Sequence, residues 1–181
     1  MGRIRFSSVK SELFSMSNIS FLTQYMDGVI HGASIQERMP FSVKAEYDTK
    51  SQFLALKAEM DKFDPFSLVT INKENELIDK IKGSTISGNY SFELDSQKST
   101  IHYAGNGSLD VSSGLIPAGA NVAFDITGNS QDIVVSNLSV HSEIADASLE
   151  GSYNFSKMSL SGLAFLERFV TPSGGTISGE M

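Results

Sequence analysis

Three histidines, His31, His102 and His141, are the side chains best suited to hold a metal or move a proton. They are dispersed, and none sits at i+2, i+3 or i+4 from another His or from a plausible pair of ligands on one face. A metal needs three or four convergent ligands, so this spacing reads as exposed or turn histidines. Glu74, Glu76 and Asp79 offer carboxylates for calcium. They lack the spacing of a binding loop and its glycine, and read instead as the solvated face of a helix or loop. Gly105-Asn106-Gly107 has neither the third glycine nor the following helix of a dinucleotide site, and reads as a hairpin turn. Serine is abundant, but no Gly-x-Ser-x-Gly is present and no histidine is placed to activate a hydroxyl. With Cys 0, thiol catalysis, zinc ribbons and disulfide scaffolds are excluded. The chain therefore reads as no enzyme, with no catalytic residue, metal or cofactor expected. Asn-x-Ser sequons at Asn18, Asn89, Asn106, Asn137 and Asn154 are what a serine-rich chain generates by chance.

Charge narrows the partners. Lys+Arg 14 against Asp+Glu 21 gives a formal net charge of −7, a sign that repels phosphate backbones and argues against nucleic acid. Hydrophobic residues at 40% of 181 allow a sizeable core. No apolar run approaches the roughly 18 residues of a membrane span. Met1-Gly2-Arg3-Ile4-Arg5-Phe6 leads into Ser7 and Ser8, unlike a signal peptide. The chain reads either as cytoplasmic or as a segment of something longer. Gly174 to Met181 breaks off in what reads as the start of a strand, which favours the segment.

Most of the chain alternates with period two, placing apolar residues on one face. Phe41/Val43/Ala45/Tyr47 and Leu54/Leu56/Ala58/Met60 are the clearest runs. Tyr90/Phe92/Leu94, Ile101/Tyr103, Leu109/Val111, Val122/Phe124/Ile126, Ile133/Val135, Leu138/Val140 and Leu149/Gly151/Tyr153/Phe155 follow. Turn residues such as Asp95-Ser96, Pro117-Ala118-Gly119 and Gly128-Asn129 separate them, which predicts an antiparallel meander. Two stretches have helical spacing, Ile19/Leu22/Tyr25-Met26 and Leu163/Leu166/Phe169-Val170. A third starts at Asp64-Pro65-Phe66, with Asp64 as N-cap, and runs toward Leu77, Ile78 and Ile81 before Gly83. The expected fold is mainly β, with two or three short helices. Similar units begin near residues 14, 60 and 158 within one segment, residues 1–181, and such repetition points to an elongated β structure.

The same residues resemble a known family. Phe63-Asp64-Pro65-Phe66, the Gly-x-Ile-x-Gly re-entries, and the aromatic strands Gly88-Asn89-Tyr90-Ser91-Phe92 and Gly151-Ser152-Tyr153-Asn154-Phe155 are similar to the periplasmic AsmA-like proteins. The resemblance spans nearly the whole chain and rests on patterns of residue class. It implies an elongated antiparallel sheet curled into a groove with an apolar concave face. It implies transport of phospholipid acyl chains from the inner to the outer membrane of a diderm bacterium, with the full-length protein anchored in the inner membrane. A branch of the family also partners an Omp85-type outer-membrane barrel protein and supports outer-membrane protein assembly.

If the sheet stays open, Phe41, Val43, Tyr90, Phe92, Tyr103, Phe124, Ile126, Tyr153 and Phe155 form a contiguous apolar lining. The rival reading is a closed β-sandwich, a structural or adhesive module in which the same residues are ordinary core. A third is a chaperone that pairs its edge strands with a client strand.

Overall fold

A computed structural model describes residues 1–10, 14–34, 41–67, 69–71, 80, 82–112, 119–171 and 174–180. Its strands are β1 (Gly2–Lys10), β2 (Phe14–Met26), β3 (Val29–Ser34), β4 (Phe41–Asp48), β5 (Phe53–Phe63), β6 (Val69–Ile71) and β7 (Thr85–Asp95). Then come β8 (Thr100–Val111), β9 (Ala120–Asn129), β10 (Asp132–Ser142), β11 (Ala145–Asn154), β12 (Ser159–Val170) and β13 (Thr176–Glu180). All but β6 pair with their chain neighbours in one antiparallel sheet, with β5 beside β7. The short β6 crosses back to pair Phe14–Met16 of β2, along the edge that β3 occupies further on.

Tight turns explain the meander. Asp48 accepts the Lys50 N–H (2.8 Å) and the Ser51 hydroxyl (2.8 Å), closing the turn from β4 to β5. Asp95 accepts from the Gln97 (3.1 Å) and Lys98 (3.0 Å) amides, and Asn154 from the Lys157 amide (2.7 Å). Each of these turns ends in a left-handed residue, Gln52 (φ 54°), Ser99 (φ 53°) or Met158 (φ 50°). A short polar side chain at the strand end thus holds the loop amides in place.

The two expected helices are strands, β2 and β12. In β12 the spacing of three comes from a bulge, since Leu166 pairs Ala147 while Arg168 pairs Asp146, with Glu167 as the extra residue. Leu163 lies on the opposite face, 44% exposed. In β2, Ile19 and Tyr25 hold one face by register and Leu22 the other. Ladders on both sides of each strand satisfy the backbone groups a helix would have satisfied internally. Asp64 does cap a turn, its Oδ1 accepting the Phe66 N–H at 2.8 Å, but the 3-10 turn is only Pro65–Ser67. The continuation through Leu77, Ile78 and Ile81 lies outside the described residues, as do Glu74, Glu76 and Asp79. Gly105-Asn106-Gly107 is not a turn but the middle of β8, with Gly105 opposite Tyr90 and Gly107 opposite Gly88. Ile133/Val135 and Leu138/Val140 belong to one strand, joined across a bulge at Ser136.

The sheet is neither closed nor strongly curled, which corrects the expected trough. Curling requires bulges or glycine kinks repeated at matching levels in successive strands. Here the bulge in β5 is separated from those in β10 and β12 by the β7–β8 and β8–β9 ladders, which run without a register shift.

No second layer packs on the sheet among the described residues. Phe63 (8% exposed) is the one buried hydrophobic residue there, and Ser84 the one buried polar residue. The accessible surface is 11936 Å², against about 8,600 Å² for a compact chain of this mass. The excess is the surface that a two-layer domain would have hidden.

Candidate functional site

Cross-strand partners in a sheet point their side chains to the same side, so the registers define continuous rows across strands. One row runs Val43, Ala58, Tyr90, Gly105, Ile126, Val135, Gly151, Gly162. The next runs Ala45, Leu56, Phe92, Tyr103, Gly128, Ile133, Tyr153, Leu160. A third runs Phe41, Met60, Gly88, Gly107, Phe124, Leu138, Leu149, Ala164. No charged side chain interrupts these rows. Between them on the other face lie Lys44, Lys57, Ser91, Glu93, His102 and Asp125.

Eight of the nine residues anticipated as a lining, Phe41, Val43, Tyr90, Phe92, Tyr103, Phe124, Ile126 and Tyr153, therefore share one face. Phe155 sits in the turn after β11, 47% exposed, with its ring edge-on to Tyr153 at 5.2 Å. It forms the rim of the face. Tyr90 and Phe124 approach to 6.1 Å between ring centroids, and Phe41 and Phe63 to 5.0 Å. Partial burial pushes the Tyr90 phenol above its ordinary pKa.

Glycines give this face its relief. A Cβ at Gly105 would lie 2.9 Å from Tyr90 Cδ1, and one at Gly128 would collide with the Tyr103 ring. Both rings reach over the neighbouring strand, covering backbone that lacks a side chain of its own. Where β11 and β12 meet, Gly151 faces Gly162, and the atoms nearest to a Cβ at either would be backbone of the other strand. A hollow of about 210 Å³ opens there, walled by Ile133, Val135, Leu149, Tyr153, Leu160 and Ala164. Two of those six wall residues were obscured in the sequence, because Ala164 falls in the stretch with helical spacing and Leu160 directly before it. The one signal available was the alternation of Leu160, Gly162 and Ala164 themselves.

The polar face holds the ionisable groups. His31 Nδ1 lies 3.4 Å from Glu46 Oε1, and His141 Nδ1 3.4 Å from Asp146 Oδ1. Arg168 Nε donates to Asp146 Oδ2 at 2.5 Å, while its Nη1 and Nη2 donate to the carbonyls of Glu143 (3.0 Å) and Ser142 (2.7 Å). Arg168 thereby ties the β10–β11 turn to β12. The hydrogen bond from Arg168, and after it that from His141, holds the Asp146 carboxyl below the ordinary carboxylate range. His102 is exposed on the same face, between Glu93 and Asn129. The three histidines are not brought together, and no group of three or more His, Asp or Glu suited to a metal occurs among the described residues.

What this arrangement can do is bury apolar surface. No protein family, curated protein or solved structure matches the chain.

Proposed function

We propose that this chain is part of a periplasmic AsmA-like protein of the TamB type, whose apolar face shields phospholipid acyl chains moving from the inner to the outer membrane. The observation that carries the reading is the apolar face itself, continuous from β4 to β12 with no described layer over it. A sheet with one apolar face needs a cover, and acyl chains supply one at roughly 0.8 kcal/mol per buried CH₂. The resemblance in the aromatic strands and re-entries supports the same assignment. An open, weakly curled wall would pass chains along its length while headgroups stay in water. Unfolded outer-membrane strands, delivered to an Omp85-type barrel protein, are the second cargo this face would suit. A closed structural or adhesive module would need a second layer over the rows, and the described residues supply none.

The test is mass spectrometry of organic extracts from the purified chain, with photo-crosslinking from positions 92, 124 and 155. Recovery of phospholipid, with lipid-mass adducts at Phe92 and Phe124, is the expected result. An extract free of phospholipid together with no adduct at any of the three positions would overturn the reading.

A further inference from the structure

Two glycines of the apolar face carry a ring, and at a third the register puts glycine where the ring would come from. Gly105 stands between Tyr90 on one neighbouring strand and Ile126 on the other, and Gly128 between Tyr103 and Ile133. In both cases the tyrosine ring reaches over the glycine. Gly151 has a β-branched neighbour too, Val135, on one side. On its other side the tyrosine's place is held by Gly162. The glycine pair Gly88 and Gly107, by contrast, stands between Met60 and Phe124, so a long side chain flanks it at each end of the row.

The hollow over Gly151 and Gly162 has the size of what is missing. Its volume is about 210 Å³, and an apolar cavity of about 150 Å³ is enough to take benzene, so there is room for one ring and not for two. The flanking rows wall it, Ile133, Tyr153 and Leu160 on one side and Leu149 and Ala164 on the other, with Val135 at the β10 end. Tyr153 offers a ring to an aromatic partner, as it already does edge-on to Phe155 at 5.2 Å between centroids. A saturated chain has no ring to offer in return.

We propose that this hollow is a binding site for one aromatic ring of the phenylalanine or tyrosine kind, seated over Gly151 and Gly162 as Tyr90 is over Gly105. That chemistry is shared by an aromatic side chain on a polypeptide and by a free small aromatic molecule. The site lies on the face that the lipid reading uses, but it goes beyond that reading and does not depend on it, since phospholipid tails carry no ring.

The probe is p-cresol, the tyrosine side chain without its backbone, titrated into delipidated protein and followed by NMR of the Ile, Leu and Val methyl groups. A ring in the hollow is expected to move the methyl signals of Ile133, Val135, Leu149 and Leu160 upfield in a saturable way, and to leave those of Leu54 and Leu56 on β5 in place. 4-Methylcyclohexanol has the same skeleton without the flat ring, and should bind on the order of fivefold more weakly, the advantage of an aromatic pair. Ala164→Phe supplies a ring from the wall and should abolish the response. Tyr103→Ala uncovers Gly128 and should add a second response at Ile126. No saturable shift at the wall methyls, equal binding of the two probes, an undiminished response in Ala164→Phe, or no added response in a folded Tyr103→Ala chain would each overturn the proposal. Where a variant fails to fold, the comparison of the two probes on the unaltered chain decides alone. A blocked five-residue peptide with tyrosine at its centre separates the sources. Tighter binding than p-cresol assigns the ring to a polypeptide, and equal or weaker binding assigns it to a free small molecule. Phospholipid in organic extracts with no response to p-cresol leaves the lipid reading standing and overturns this one, whereas the response without extractable phospholipid does the reverse.

Discussion

The ring of Tyr90 lies across the backbone of Gly105, its partner on the neighbouring strand, so closely that a Cβ at Gly105 would sit 2.9 Å from the Tyr90 Cδ1. The pairing recurs one row away, where Tyr103 covers Gly128. On a sheet over which the described residues place no second layer, such rings shelter main chain that lacks a side chain of its own.

That contact sets a double-mutant cycle. Gly105→Ala forces the Tyr90 ring aside and should cost about 1–2 kcal/mol. In a Tyr90→Ala background the same change meets no ring and should cost close to nothing, or help. Urea titrations of the four proteins measure the coupling. Equal costs in both backgrounds would show that the ring does not rest on the glycine.

Glycines facing backbone should respond more severely. A Cβ at Gly151 would stand 2.6 Å from the Ser161 carbonyl oxygen, which cannot swing away as a side chain can. Gly151→Ala is expected to lose about 2–3 kcal/mol and to fill part of the hollow beside it. Gly179→Ala, with nothing within 4 Å, should be neutral or slightly stabilising. Thermal melts of both variants should rank them in that order.

Met158 closes the turn from β11 to β12 with φ 50° and is 82% exposed. A left-handed conformation costs an ordinary residue roughly 1–2 kcal/mol, part of which glycine gives back through its freer unfolded chain. Met158→Gly should therefore stabilise by about 0.5 kcal/mol, read as a small rise in Tm.

Acid should loosen the Arg168 clamp. The Asp146 carboxyl is held low by Arg168 first and His141 second, so its stabilising contribution is fully present above the unfolded aspartate value of about 3.9. It is lost as pH falls through the lower folded value. The stability gap between the native chain and Asp146→Asn should be constant at neutral pH and shrink below about pH 4. Asp48 and Asp95, held low by the Ser51 hydroxyl and by Lys98 respectively, titrate in the same direction. A gap that widens on acidification would contradict the clamp.

Leu160, 80% exposed in the hollow wall, separates binding from stability. Leu160→Asp removes little packing and should change stability by about 0.5 kcal/mol or less. It places a charge on the apolar face, and uptake of an apolar fluorophore or of phospholipid should fall. Unchanged uptake would move the binding surface away from β11 and β12.

Tyr90, Phe92 and Leu94, alternating with Ser91 and Glu93, announce a strand with one apolar face, because side chains of a strand point alternately to its two sides. That alternation, with turn residues such as Asp95-Ser96, made the meander and most of the candidate face legible in the amino-acid sequence. Where a bulge shifts the phase, the local pattern misleads. Leu163, Leu166 and Phe169 have the steps of a helix, yet the extra residue Glu167 puts Leu166 and Phe169 on one face and leaves Leu163 on the other. Gly105 and Gly107 looked like a turn because glycine marks both turns and the strand sites where a ring or a second backbone comes close. Which of the two applies depends on Tyr90 and Gly88, residues on another strand. The return of β6 to β2 and the openness of the sheet depend likewise on partners distant in the chain. Alternation is written locally and the sequence alone determined it; register is a relation between segments, and only the tertiary structure decided it.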